Sequence, residues 1–160
     1  MKRAAGAGVF ALTLAVSLGA IVAALVSQHV FDMQPCPWCV LQRLIFAALA
    51  LAAVLGLLWT SRVGRRVAAS IGVVFAALGA AAALWQHVVA AKSASCNLTL
   101  ADRIISALQL DALLPQVFAA TASCADAAVQ LFGVPYEYWS LGLFGALGIA
   151  LVTALTQRAR

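Results

Sequence analysis

Two cysteines lie three positions apart in the segment QPCPWCVLQR, and an arginine follows the second of them by four positions. These residues are Cys36, Cys39 and Arg43. Pro37 suits the first turn of a helix, where its missing N–H is not needed, and a helix N-terminus favours the thiolate form of a nearby cysteine. On such a helix Arg43 shares a face with Cys39 and could pair with its thiolate. The segment therefore predicts redox or nucleophilic sulfur chemistry.

The other two cysteines, Cys96 and Cys124, lie far from this pair and from each other. Four cysteines allow three pairings into two disulfides. Geometry favours Cys36 with Cys39, because residues i and i+3 at a helix start can reach the Cα separation of about 4.4–6.8 Å that a disulfide needs. Cys96 is then left with Cys124, in a bridge that contributes roughly 3–4 kcal/mol in the chain-entropy model. The short pair closes almost no loop, so reactivity explains it better than stability does.

The elements that must position these residues are membrane-spanning helices. The chain has 160 residues, of which 65% are hydrophobic and 9% are charged, and a soluble domain of this size could not build a polar surface from them. Four stretches without charged residues, within 4–31, 44–61, 67–91 and 138–157, could each cross a bilayer, which takes roughly 20 apolar residues. The first exceeds the about 7–15 residues of a signal-peptide core, so we expect it to be retained. We predict an all-α, polytopic, four-helix membrane bundle forming one domain over residues 1–160, with spans near 8–30, 40–60, 67–91 and 138–157 and outer loops at 31–38 and 92–137.

The charged residues predict the orientation of this bundle. Seven of the ten basic residues lie at the two termini or between the second and third spans: Lys2, Arg3, Arg62, Arg65, Arg66, Arg158 and Arg160. All five acidic residues and all four cysteines fall on the other side. The positive-inside rule therefore predicts cytoplasmic termini and cysteines that face the opposite compartment. The net charge of +5 follows from this topology, and we predict no nucleic-acid partner.

Together these features resemble the disulfide bond formation protein B family, DsbB, the bacterial inner-membrane thiol oxidases. The resemblance covers nearly the whole chain: four spans, a Cys-x-x-Cys pair opening the second span, an arginine four residues after that pair, and two cysteines in the long outer loop. The stretch Pro115-Gln116-Val117-Phe118, which leads to Cys124, also looks like that of the family. The resemblance implies a multi-pass protein of the bacterial inner membrane, with its active cysteines facing the periplasm.

The same resemblance implies an electron relay between a soluble protein and a lipid-soluble carrier. A reduced periplasmic thioredoxin-fold protein, DsbA or one like it, would attack the Cys96–Cys124 disulfide at Cys96. The freed Cys124 would attack Cys36, and Cys39 would leave as a thiolate. Its electrons would pass to a membrane quinone, ubiquinone or menaquinone. Because DsbA is a strong oxidant, its re-oxidation requires a strong acceptor.

Two further residues receive roles from the resemblance. Arg43 would stabilise the Cys39 thiolate and the negative charge that develops on the quinone. His87 ends the third span on the same side and resembles a family histidine near the quinone. A histidine that is simply hydrogen-bonded at the membrane interface is the alternative interpretation of His87. The roles of Trp38 and Gln42 within the motif stay open.

Other classes of function fit part of this pattern. A non-enzymatic membrane scaffold would carry disulfides that only brace the outer loop. An enzyme resembling the vitamin K epoxide reductases is also helical, but that family places its Cys-x-x-Cys near the last helix, whereas Cys36 and Cys39 open the second span. Zinc sites usually combine two closely spaced ligand pairs. Only one such pair is present, so we predict no metal site.

Overall fold

Four long helices dominate the computed structural model, which describes residues 2–92 and 99–156. By length and composition each of the four could cross a membrane, and the predicted all-α, four-helix membrane architecture is confirmed. A 3₁₀ turn (Ala90–Lys92) follows the third long helix, and three short helices lie in the long loop. In chain order the helices are α1 (Lys2–His29), α2 (Pro37–Leu58), α3 (Arg62–Val88), α4 (Leu100–Ala107), α5 (Leu110–Leu113), α6 (Pro115–Phe118) and α7 (Tyr136–Thr156).

The start of α2 is fixed by the cysteine motif itself. Pro37 occupies the first helical position, and Cys36 is the N-cap residue in an extended conformation. The Cys36 sulfur accepts a hydrogen bond from the backbone N–H of Cys39 at 3.4 Å. This contact satisfies one of the N–H groups that a helix start leaves without a partner. The local sequence thus brings the two sulfurs together within one turn of the helix start.

Helix α2 lies at the centre of the bundle, packed against α1 and α3, while α7 packs against α3. Small residues permit these close approaches, as is usual where lipid provides no hydrophobic force between helices. Gly79 of α3 faces the ring of Phe144, which stacks on Phe46 of α2 with ring centroids 4.1 Å apart. Gly79, Phe144 and Phe46 therefore connect three helices across the middle of the bundle.

The glycine at position 79 provides a direct test of this packing. A Cβ atom at Gly79 would lie 2.5 Å from the Phe144 ring, so we expect Gly79→Ala to lower the free energy of unfolding by about 1–3 kcal/mol. Gly145 of α7 is the matched control, because its Cβ would meet nothing within 4 Å. Thermal unfolding of both variants in detergent measures the difference. Equal thermal unfolding midpoints for Gly79→Ala and Gly145→Ala would contradict the close packing of Phe144 against Gly79.

The long loop folds back over the start of α2. The backbone N–H of Thr121 donates to the carbonyl of Pro35 at 3.0 Å, and the Thr121 hydroxyl donates to the Gln34 side chain at 2.6 Å. Ile105 and Phe118 pack against Val40 in a small buried cluster. An antiparallel hairpin of β1 (Gln130–Leu131) and β2 (Val134–Pro135) then leads into α7. These contacts hold the segment that carries Cys124 beside the Cys-x-x-Cys pair.

Candidate functional site

Three of the four cysteines form one cluster at the N-terminus of α2. The sulfur atoms of Cys36 and Cys39 are 2.9 Å apart, and the side chain of Cys124 hydrogen-bonds that of Cys36. Cys36 and Cys124 are buried, whereas Cys39 is partly exposed. Cys96 lies outside the described residues, so its predicted pairing with Cys124 stays a prediction. The cluster brings Cys124 to Cys36, the sulfur that the sequence-based prediction has it attack.

Hydrogen bonding shifts the pKa values of Cys36 and Cys124, two buried thiols that lie outside the helices, in opposite directions. The pKa of Cys124 is lowered, chiefly because Cys36 donates a hydrogen bond to its sulfur, and the Trp38 backbone N–H adds to the effect although burial opposes it. The pKa of Cys36 is raised, chiefly by its hydrogen bond with Cys124, then by that with Cys39 and by burial. The thiolate is the nucleophile in disulfide exchange. Cys124 is therefore the better nucleophile of the two, and Cys36 is the sulfur that it faces.

Arg43 is buried beside this cluster, with 6% of its surface exposed. Its guanidinium donates to the Gln28 side chain at 2.6 Å, to the Val117 carbonyl at 3.0 Å and to the Ala24 carbonyl at 3.3 Å. All three acceptors are neutral, and no carboxylate among the described residues lies within 4.0 Å of the guanidinium. A buried charge is costly unless it is paired. The site therefore carries an uncompensated positive charge that favours an anion.

Two glutamines continue the polar site from α2 to α3. Gln42 donates from its amide nitrogen to the Gln86 side-chain oxygen at 2.7 Å, and the Gln86 amide nitrogen donates to the Cys39 sulfur at 3.3 Å. The sequence-based prediction leaves the role of Gln42 open and does not include Gln86. Polar residues inside apolar spans usually mark functional sites, so the signal was present at both positions.

A cavity of about 210 Å³ opens next to Cys39, among α1, α2, α3 and α7. Most of its lining is apolar and includes Phe46 and Leu143. The polar part of the lining includes Cys39, Arg43, Gln42 and Gln86. Apolar walls with a few convergent polar groups are typical of small-molecule sites. The arrangement can hold a flat, apolar molecule against the Cys39 sulfur and place positive charge beside it.

His87 does not line this cavity. One of its ring nitrogens lies 2.8 Å from a carboxylate oxygen of Glu137, and its ring contacts that of Tyr138 with centroids 4.6 Å apart. Glu137 is 6% exposed and does line the cavity, whereas the His87 side chain is 34% exposed. His87 is thus connected to the cavity through Glu137, a residue that the sequence analysis did not single out.

Similarity to known proteins extends over almost the entire chain. The sequence model of the family described as Disulfide bond formation protein DsbB matches residues 6–154. A protein named Disulfide bond formation protein B from Stutzerimonas stutzeri (strain A1501) is 31% identical over 156 residues, which cover 95% of this chain and 94% of the relative. One with the same name from Ralstonia nicotianae (strain ATCC BAA-1114 / GMI1000) is 32% identical over 158 residues, with 94% of each chain covered. A third, from Herminiimonas arsenicoxydans, is 31% identical over 152 residues, covering 94% of this chain and 95% of the relative.

Proposed function

This chain belongs to the Disulfide bond formation protein DsbB family, and from that premise we propose that it re-oxidises a periplasmic dithiol protein of the DsbA type and passes the electrons to a membrane quinone. The observation that carries the proposal is the contact of Cys124, Cys36 and Cys39 beside a buried arginine and an apolar cavity. A scaffold whose disulfides only brace the loop would need none of these neighbours. The arrangement supports an oxidoreductase whose chemistry takes place at sulfur.

The first step of the proposed reaction is exchange in the long loop. A thiolate of the reduced partner attacks Cys96 in a Cys96–Cys124 disulfide, and Cys124 leaves as a thiolate. The partner's second thiol then displaces Cys96, so that the partner leaves oxidised and Cys96 carries a free thiol. The Trp38 backbone N–H, which helps to lower the pKa of Cys124 whether or not Cys36 carries a thiol, supports this direction, because a more acidic thiol is the better leaving group.

The second step moves the electron pair to the membrane. The Cys124 thiolate attacks Cys36 of a Cys36–Cys39 disulfide, a Cys36–Cys124 bond forms, and Cys39 is released as a thiolate that holds the electron pair. Arg43 is the cationic group of this chain that stabilises the negative charge on Cys39. Cys96 then displaces Cys36 from Cys124, which restores the Cys96–Cys124 disulfide and leaves Cys36 and Cys39 as a reduced pair. The hydrogen bond between Cys124 and Cys36 and the 2.9 Å separation of Cys36 and Cys39 support a short path between the three sulfurs.

The cavity beside Cys39 fits the head group of a quinone. Re-oxidation of the reduced Cys36–Cys39 pair to a disulfide would supply a quinone bound in the cavity with two electrons and two protons, the number that the two thiols of the partner provide. The apolar wall formed by Phe46 and Leu143 suits a flat ring, and Arg43 favours the negative charge that reduction creates. Ala23 and Leu143 line the cavity and are exposed on α1 and α7, so the lining reaches the surface that lipid would contact. Ubiquinone and menaquinone both have these properties.

The proposed location is the bacterial inner membrane, with both termini in the cytoplasm. The cysteine cluster lies at the end of the bundle where α2 begins, α3 ends and the long loop packs. The arginine-containing start of α3 lies at the other end. The excess of basic residues there and at the termini supports this orientation. It places the cysteines where a periplasmic partner can reach them and a lipid-soluble acceptor can bind.

Quinone reduction by the purified protein in detergent tests the whole proposal. Adding a reduced DsbA-type protein should start catalytic turnover in the wild type, measured as loss of ubiquinone absorbance. Cys96→Ser should give no turnover, because the partner's point of entry is lost. Continued turnover in Cys96→Ser would refute the proposed entry step. An inert wild type that is folded and binds quinone would refute the proposed reaction with this partner.

Glu137 provides a test of proton supply to the acceptor site. An acidic group that lines the cavity and contacts a half-exposed histidine can pass a proton from the surface. We expect Glu137→Gln to lower the rate of quinone reduction about tenfold or more, since the amide cannot transfer a proton. His87→Gln should have a comparable effect, because a glutamine cannot pass a proton from the surface to Glu137 either. Full activity in Glu137→Gln would restrict the pair to a structural role.

A further inference from the structure

Gln42 and Gln86 form a hydrogen-bonded pair that ends on the sulfur of Cys39. Each side chain is 4% exposed, and the two belong to different helices of the bundle. We infer that this amide pair is a directional hydrogen-bond donor that stabilises the Cys39 thiolate, with Gln86 contacting the sulfur and Gln42 acting as the positioning residue. The inference rests on the proposed function, in which Cys39 is the sulfur that leaves with the electron pair.

The direction of the donor follows from the chemistry of an amide. A glutamine side chain has an oxygen that only accepts and an NH₂ group that only donates. The Gln86 oxygen accepts from Gln42 at 2.7 Å, so its NH₂ group faces Cys39 at 3.3 Å. A sulfur opposite this group must accept the hydrogen bond, as a thiolate does well and a thiol does weakly. The orientation of Gln86 therefore matches the charged form of Cys39.

The pair complements Arg43 without duplicating it. Arg43 contributes a full positive charge, but three of its five N–H groups donate to Gln28, Ala24 and Val117. Gln86 contributes a donor aimed at the sulfur and adds no second charge to the cavity that it also lines. Hydrogen bonds to an ionised acceptor are roughly twice as strong as those between neutral groups. The donor is thus of most value at the moment when Cys39 carries its negative charge.

A purely structural interpretation makes a different claim about the same residues. Buried side-chain hydrogen bonds also hold membrane helices together, and the Gln42–Gln86 contact joins α2 to α3. In that interpretation the bond between the glutamines stabilises the association of α2 with α3, and the contact with Cys39 has no effect on the sulfur. Two variants separate the alternatives. Gln86→Glu keeps an acceptor for Gln42 but turns an oxygen towards the sulfur, whereas Gln42→Leu breaks the bond between helices and keeps the Gln86 donor without the partner that orients it.

The experiment uses a full-length protein in which Cys39 is the single thiol, with Cys36→Ser, Cys96→Ser and Cys124→Ser as background. Serine keeps a capping side chain at the start of α2. The rate of Cys39 alkylation by iodoacetamide at pH 7 reports its thiolate fraction, and circular dichroism reports the fold. Relative to this background, Gln86→Glu should slow alkylation about tenfold or more, and Gln42→Leu should slow it about threefold, because the Gln86 donor is kept but loses the partner that orients it. Gln86→Met removes the donor without adding charge and should lie between the two.

The results distinguish failure of this inference from failure of the proposed function. Alkylation of a folded Gln86→Glu or Gln86→Met protein at the background rate would overturn the donor role. An effect of Gln42→Leu as large as that of Gln86→Glu would also overturn it, in favour of helix association. Quinone reduction is measured in parallel with the same glutamine variants in the protein with all four cysteines. If the wild type does not reduce quinone, the proposed function is refuted. If it does, and the Gln86 variants are alkylated at the background rate, only the inference is refuted.

Discussion

Replacing Cys39 with serine should abolish steady-state quinone reduction and leave a single exchange with the partner protein. A serine oxygen can neither hold a disulfide with Cys36 nor leave as a thiolate, so no electron pair reaches the cavity. The Cys96–Cys124 pair is untouched and can still oxidise one equivalent of reduced partner. We therefore expect a stoichiometric burst of partner oxidation without turnover. Stopped-flow fluorescence of the partner, together with quinone absorbance, measures both quantities.

Cys36→Ser should behave in the same way, although Cys36 is also the N-cap residue of α2. Serine is among the preferred N-cap residues, so the helix start should be retained and a loss of activity can be assigned to the missing sulfur. Cys96→Ser is the matched contrast, because it should lack even the initial burst. Sustained quinone reduction in either Cys36→Ser or Cys39→Ser would exclude the relay through this pair.

The second large effect is expected at Arg43. Arg43→Met keeps the length of the side chain and removes the charge, and we expect it to lower kcat/KM for quinone by about 10–100-fold, as for loss of a hydrogen bond to a charged group. Because the neutral acceptors around Arg43 do not need its charge, the loss should concentrate on the negatively charged states of the reaction. Initial rates at varied quinone concentrations separate an effect on KM from one on kcat.

Arg62→Met is the matched control for that experiment, since Arg62 is exposed at the first residue of α3, at the opposite end of the bundle. Arg43→Lys adds a second comparison, because lysine keeps the charge but cannot reproduce the planar set of donors. We expect Arg43→Lys to lie between Arg43→Met and the wild type. An unchanged quinone dependence in Arg43→Met would mean that Arg43 only anchors the long loop through Val117.

The fold could be predicted largely because membrane spans are encoded locally. Long apolar runs identify the four long helices, and Pro37 after Cys36 indicates where the second of them begins. The spacing of Cys39 and Arg43 places both residues on one helical face, and both line the cavity. The contact of Cys124 with Cys36 is implied by the resemblance to the DsbB family and not by any local pattern in the sequence. It depends on how the long loop folds back over α2.

The faces of α3 show why the rest of the site could not be predicted. Adjacent residues on a helix point about 100° apart. Gln86 is therefore directed at Cys39 on α2, whereas its neighbour His87 is directed at Glu137 on α7. A single sequence identifies the end of this helix but not its rotation about its axis, because the span is apolar on nearly all sides. The position of His87 along the helix makes it the predicted site residue. The residue that contacts the Cys39 sulfur is the one before it, Gln86.

The stacked rings at the centre of the bundle have a consequence for redesign of the acceptor site. Phe46 lines the cavity, Phe144 supports Phe46 from behind, and Gly79 leaves the space in which Phe144 lies. Gly79 itself does not line the cavity. The width available to an electron acceptor is therefore adjustable from a helix position that the acceptor never touches. A library that pairs substitutions at 79 with smaller residues at 144 could select for bulkier acceptors while the sulfur chemistry stays intact.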